Sequence, residues 1–404
     1  MQRRDFLRSG AVLALPALDP LLRLLPRTAI LPGGPERVLV LLELAGGNDG
    51  LNTVVPVEDP VYHAARPMLR VRGRTHPLGR GLALHPSMGG MSGLFGEGWL
   101  AVVSGVGYPE PNRSHFRSMD IWQSARPDLA KPQRGWLGLA ADELATRGSE
   151  VPAMSLGATE IPLCLHARRI VVPALRSLRE YQLFQDGRAG GRNRARKETL
   201  LELVGESGQD DELARRLKRV ARQAYEGSEK LRKAVLAYRP LVEYPNTGLG
   251  RRFELAARAL SSPLGTRIVH LRQTGYDTHA SQDRTHATLL GELSDALGAF
   301  AKDFRSKGFW DRTLVFCFSE FGRRVAENQS RGTDHGTAAP VFLAGGSLAG
   351  GLFGEQPSLS DLDQGDLRFN LDFRRLYAEI LERWLEVPAE KILNGRFPRV
   401  GVLG

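Results

Sequence analysis

Two rhythms of apolar and polar positions run along this chain. The segments "RVLVLLEL" (Arg37 to Leu44), "WLAVVSG" (Trp99 to Gly105), "RIVHLR" (Arg267 to Arg272), "TLVFCFS" (Thr313 to Ser319) and "PVFLAGG" (Pro340 to Gly346) are apolar almost without interruption. A strand carries apolar side chains on both faces only where both are covered, so these runs predict a parallel sheet between helical layers. Between them the spacing changes. Leu290, Leu293, Leu297 and Phe300 fall on one helical face, as do Phe373, Leu376, Ile380 and Trp384. The alternation predicts an α/β layered fold with a mainly parallel central sheet flanked by helices. From about Ser177 to Leu260 the chain is mostly helical in pattern and includes the charged run "QDGRAGGRNRARKE". This stretch, approximately 177–260, predicts a helical insertion covering one end of the sheet, its basic residues a solvated face.

Ligands of such sheets collect beyond the carboxyl ends of the strands, so the chemistry is sought there. The first run ends in "ELAGGNDGLNTVVP", where Gly46, Gly47 and Gly50 permit a tight turn and Glu43, Asn48, Asp49 and Asn52 bring oxygen atoms. The second is followed by "GVGYPEPNRSHFRSMDIWQ", with Ser114 at the start of a predicted helix. Ser114 is read either as an N-cap or as a nucleophile at a helix N-terminus, with Arg113, His115 and Arg117 nearby to neutralise charge. Asp277 and His279 follow the third run, and His286 lies on the next helix. Glu320 ends the fourth, and His335 precedes the fifth. Carboxylates and imidazoles converging from separate loops suit a divalent metal: zinc, manganese or iron, or magnesium or calcium where oxygens dominate. His63, His76, His85 and His166 are expected to make local hydrogen bonds, and Trp122 and Trp136 to pack.

Composition narrows the options. At 404 residues, 42% hydrophobic and 25% charged, the chain has ordinary globular make-up. Its formal charge of +10 comes from scattered arginines, without the basic stripe and interleaved aromatics of a nucleic-acid surface, so no nucleic-acid partner is expected. With Cys164 and Cys317 alone, neither a disulfide framework nor a thiolate metal site is expected, and Cys317 reads as core. The start, "MQRRDFLRSGAVLALPALDP", joins Arg3 and Arg4 to Phe6-Leu7 and a short apolar run closed by Asp19 and Pro20. It is too short for an ordinary spanning helix and resembles a twin-arginine export signal. The expected layout is a signal region over 1–30, read by the twin-arginine translocase, then a single domain over 31–404. The mature form is placed in the periplasm or otherwise outside the cytoplasm, with no stable membrane span.

The segments "LLELAGGNDGLNTVVP", "GVGYPEPNRSHFRSMDIW", "GYDTHASQ" and "FSEFGRRVAENQSRGTDHGTAAPVFLAGG" resemble those of the domain-of-unknown-function 1501 family. These are exported bacterial proteins grouped with the alkaline phosphatase and sulfatase superfamily, and the resemblance covers nearly the whole mature chain. It implies an alkaline phosphatase-like fold and one or two divalent ions. By that resemblance Asp49 is the first ligand, Ser114 the nucleophile, and Asp277 and His279 the pair holding the other metal, with His286 a possible substitute. Glu320 stands where the superfamily has an Asp, and Phe321 replaces the following His. His335 resembles the late His of the first metal site, with Asp334 orienting its imidazole. The implied activity is a metal-dependent hydrolase of phosphate or sulfate esters, acting on a small-molecule or glycan ester, with Arg113 or Arg323 neutralising the equatorial oxygens. The lack of a C/S-x-P/A-x-R frame disfavours a formylglycine sulfatase. The alternative is a non-catalytic relative that keeps a structural metal and binds a glycan or protein partner.

Overall fold

The computed structural model describes residues 36–158, 160–175 and 238–404, together with Ala214 and Lys218. The predicted signal region and the larger part of the predicted insertion lie outside the described residues. Among the described residues, nine strands form the main sheet: β1 (Val38–Ala45), β2 (Leu100–Gly107), β3 (Ala153–Leu156), β4 (Ala174–Leu175), β5 (Ile268–Thr274), β6 (Thr313–Phe318), β7 (Ala339–Gly345), β8 (Gly351–Phe353) and β9 (Leu371–Asp372). Their spatial order is β8-β2-β7-β6-β1-β5-β3-β4, with β9 also paired to β2.

The alternation of side chains along β1 explains why its apolar run is unbroken. Val38, Val40, Leu42 and Leu44 face one layer, built on α1 (Gly89–Gly96), α4 (Gly248–Leu260) and α5 (Gln282–Ser306). Leu39 and Leu41 face the other, built on α2 (His115–Ser124), α3 (Trp136–Ala145) and α6 (Arg374–Glu379), which passes into a π turn at Ile380–Trp384. Each apolar position predicted on the helices is buried: Leu290, Leu293, Leu297 and Phe300 on one side, Phe373, Leu376, Ile380 and Trp384 on the other. Trp122 stacks between Phe318 and Phe373, and Trp136 stacks on Tyr377, so both tryptophans pack. Cys317 is core. Within the predicted insertion, α4 is no appendage: Leu249, Phe253, Ala256 and Leu260 join the core beside α5.

One strand departs from the predicted parallel arrangement. β1, β5 and β6 run parallel, but β7 is antiparallel to both its neighbours, β2 and β6. Ala339, the first residue of β7, therefore pairs with Val106 near the end of β2. The loop entering β7 opens at the edge where the parallel strands finish, which carries His335 to the same edge as the loops after β1, β5 and β6.

Candidate functional site

The loop after β1 is the scaffold of this edge. Gly46 and Gly47 have φ of +121° and +72°, and a Cβ on Gly46 would lie 2.5 Å from the backbone nitrogen of Asp277. Only glycine allows so close an approach with that backbone. The loop's N–H groups hold one neighbour: Gly46 donates to Glu320 Oε1 at 2.9 Å and Asn48 donates to Ser319 Oγ at 2.8 Å. Its carbonyls hold another, since Arg323 donates from Nε to Gly47 O at 2.6 Å and from Nη2 to Gly46 O. Arg323 also donates to Thr333 O at 2.8 Å, Tyr276 O at 3.1 Å and Asp277 Oδ1 at 2.7 Å. Its buried guanidinium thus ties the loops together.

Around Asp277 three imidazoles converge. Its Oδ1 lies 3.0 Å from His279 Nε2, 3.1 Å from His335 Nε2 and 3.4 Å from His115 Nε2. His279 Nε2 and His335 Nε2 are 2.9 Å apart. The opposite nitrogen of each ring meets an oxygen: His115 Nδ1 faces Glu320 Oε1 at 2.8 Å, His335 Nδ1 faces Arg113 O at 2.9 Å, and His279 Nδ1 faces Asp334 Oδ1 at 3.3 Å. A carboxylate or carbonyl at Nδ1 places the proton there and leaves Nε2 as a lone pair. Three lone pairs then surround the Asp277 carboxylate oxygen, and among the described residues His115 Nε2 is buried with no hydrogen-bond partner. Ligand atoms of His115, Asp277 and His335 all lie within 4.8 Å of one another, a set that fits a divalent ion of the zinc class, whose nitrogen and oxygen ligands bind at about 2.0–2.2 Å, and His279 stands beside Asp277 and His335.

The charges are arranged accordingly. Burial alone would raise the Asp277 pKa, but the Arg323 hydrogen bond and the neighbouring imidazoles hold it down to about 2. The Glu320 hydrogen bond raises His115, whereas burial lowers His335. For Glu320 burial raises the pKa, and His115 with the backbone N–H groups of the glycine loop outweighs it, leaving the carboxyl below its ordinary value.

Several expected residues sit elsewhere. Asp49 is fully buried behind the glycine loop, where its Oδ2 pairs with Arg66 at 2.6 Å and accepts from Gln282, while among the described residues its Oδ1 has no hydrogen-bond partner. Burial raises its pKa, and Arg66 with its neighbours brings it back below the ordinary value. His286 is buried beside it, 2.9 Å from Asn48 Oδ1, and burial lowers its pKa to about 4. Glu320 stands behind His115 instead of among the facing ligand atoms. Asp334 supports His279 and not His335. Ser114 is exposed at the N-terminus of α2, and its hydroxyl makes no capping bond. Arg113, beside it, forms an ion pair with Asp366 and lines a cavity of about 700 Å³ with Asn112, Arg368 and Phe369.

His115 is the ligand candidate that sequence reasoning assigned only to charge neutralisation. Phe321, where the resemblance led one to expect a His, packs its ring 4.9 Å from that of His115 and 4.8 Å from that of His335. The imidazole arrives from the helix opposite, and Phe321 walls the cluster.

The profile of the family described as "Protein of unknown function (DUF1501)" matches residues 79–392, a span that includes all four clustered residues. The chain belongs to the DUF1501 family. No curated protein matches the sequence. Among solved structures, this DUF1501 chain is similar to the PsFucS1 sulfatase from Pseudoalteromonas sp., at 13% identity and a TM-score of 0.40, over 91% of this chain and 72% of that one. It is also similar to the phosphonate monoester hydrolase of Agrobacterium radiobacter, at 11% identity and a TM-score of 0.39, over 89% and 78% of the two chains. A third similarity is to the C-terminal periplasmic domain of EcEptC from Escherichia coli, in complex with Zn, at 10% identity and a TM-score of 0.34, over 77% and 74%. Among the described residues of this DUF1501 protein, no helix is long and apolar enough to cross a membrane.

Proposed function

We propose that this protein is a metal-dependent hydrolase of phosphate or sulfate esters, exported by the twin-arginine pathway. The observation that carries the reading is the convergence of three imidazole Nε2 atoms on Asp277 Oδ1, each imidazole braced at Nδ1 by an oxygen. His115, Asp277 and His335 would hold one divalent ion, with His279 beside Asp277 and His335. When bound, such an ion polarises an ester oxygen and lowers the pKa of a bound water.

The chain's own residues supply the rest. Arg323 fixes Asp277 and keeps it ionised, Glu320 fixes the His115 ring, and the Gly46-Gly47 turn holds both. Ser114 is the candidate nucleophile: it lies in sequence between Arg113, whose carbonyl braces His335, and His115 itself. In this reading Ser114 Oγ bonds to the ester's phosphorus or sulfur as the bond to the alcohol oxygen breaks and the serine proton passes to that oxygen, and water then cleaves the Oγ bond, releasing the acid and returning a proton to Ser114. The cavity beside Arg113 receives the alcohol portion of the ester, and the Arg113 side chain faces the ester's charge.

A second reading has its own observation. Asp49 pairs with Arg66, so at this edge of the sheet the described residues gather one cluster of ligands where a two-metal enzyme needs a pair. This favours a non-catalytic relative with a structural ion and a glycan or protein partner.

Elemental analysis of purified protein, paired with a panel of phosphate and sulfate esters, decides between them. The hydrolase reading expects a stoichiometric ion lost in Asp277→Ala and His335→Ala, and a Ser114→Ala variant that keeps the ion but cleaves at least a hundredfold more slowly, on the order expected for a lost nucleophile. Metal-loaded protein that cleaves no ester supports the binding reading. Folded protein without an ion at this cluster overturns both.

A further inference from the structure

A second cluster lies inside the sheet's other layer. Along β1 the odd positions Leu39 and Leu41 enter the apolar layer beneath α2 and α3, and the next such position is Glu43, a fully buried carboxylate. On β5, His270 stands opposite Leu41 in register and is also buried. Cys164 reaches the same place from the short Leu163–Leu165 turn. A ligand atom from each of the three lies within 4.8 Å of the other two.

We propose that Glu43, Cys164 and His270 form a buried metal site for a borderline-soft divalent ion of the zinc class, separate from the cluster at Asp277.

Two buried groups point to a missing partner. His270 Nε2 lies 3.2 Å from Glu43 Oε1, yet it is not aligned as a hydrogen bond and has no other partner among the described residues. Glu43 Oε2 is likewise buried without a hydrogen bond, and the half-exposed Arg272 stands 3.7 Å away. Two atoms close together but not aimed at each other suit aim at a common third atom. A buried carboxylate and imidazole left so are costly unless compensated.

The surroundings set the ligands. Ser155 Oγ lies 3.2 Å from His270 Nδ1, and with that nitrogen donating its proton to the hydroxyl, Nε2 is a lone pair facing Glu43. Gln123 links the other two residues, donating to Glu43 Oε1 and accepting from the Cys164 backbone N–H at 3.3 Å. Carboxylate, imidazole and thiolate together suit zinc better than magnesium or calcium. Binding converts the thiol to a thiolate, so one proton passes to solvent for each ion bound. The expectation from cysteine count, that no thiolate site is possible, overlooked that one thiol suffices when a carboxylate and an imidazole complete the set.

Cobalt(II) separates this site from the first, because only this one offers sulfur. Full-length protein is stripped of metal under reducing conditions, reloaded with cobalt(II), and examined for cobalt content and for a thiolate-to-cobalt charge-transfer band in the near ultraviolet. The wild type is expected to show the band. His335→Ala keeps it while losing the exposed ion, Cys164→Ala loses it together with one cobalt per chain, and Cys317→Ala leaves it unchanged. Because the decisive signal is read on the wild type, it stands even if Cys164→Ala fails to fold. Wild type that binds cobalt without a thiolate band, or whose band survives in folded Cys164→Ala, overturns the inner site and leaves the Asp277 cluster intact. A band with no ion lost in His335→Ala supports the inner site and counts against the outer one.

Discussion

Glu320 tests how the cluster is held at the scale of single residues. Its carboxylate braces His115 and accepts from Gly46. Glu320→Ala is expected to weaken metal binding about 10–100-fold, the usual effect of removing such a brace, and titration with a competing chelator reads it directly. Arg66→Met should behave differently. It leaves the buried Asp49 carboxylate without its cation and is expected to cost about 3–5 kcal/mol in urea unfolding, with much of that recovered in the double variant Arg66→Met, Asp49→Asn. The contrast shows what residue type can reveal. That Asp277, His279 and His335 come together was legible because each follows or precedes a predicted strand at the same edge. Asp49 and His286 have the same chemistry, but a sequence gives a side chain's chemistry and not its partner: Arg66 and Gln282 hold Asp49 at Oδ2, and Asn48 meets His286. For His115 the signal in the sequence is an imidazole in the first turn of the helix that follows a buried strand, beside a serine that also suits a helix start.

For whole elements, buried strands and helices were readable because each must satisfy one periodicity along its length. The short strands β3, β4, β8 and β9 were not, since two to four residues carry too little pattern. The antiparallel sense of β7 was also hidden: a strand buried on both faces has the same composition in either direction. That reversal is what brings His335 to the site. The glycine loop is an element whose conformation can be tested. Gly46→Ala places a methyl group against the Asp277 backbone at a φ of +121°, so it is expected to destabilise by roughly 2 kcal/mol or more in urea unfolding and to weaken metal binding. A variant that unfolds normally and binds metal as the wild type does would show that the loop does not set the position of Asp277.

Across the whole molecule, stability should follow the buried histidine behind the loop. His286 has a folded pKa of about 4, below its ordinary 6.5, so the unfolded chain binds more protons between those values. Stability is therefore fully present above about pH 6.5 and declines as pH falls toward 4, by an amount on the order of 3 kcal/mol from this residue. Urea midpoints across that range should show the decline, and His286→Gln should flatten it. The clustered residues also lie far apart along the chain: His115 and Glu320 are separated by 205 positions, His335 and Asp277 by 58. No partly folded chain lacking β5, β6 or β7 can offer the complete set of ligands. An ion at this cluster consequently recognises only the finished structure, and its concentration becomes a thermodynamic lever on folding. Once the free metal exceeds its dissociation constant, each tenfold increase should add about 1.4 kcal/mol to the unfolding free energy, while His335→Ala should remove the contribution of this cluster.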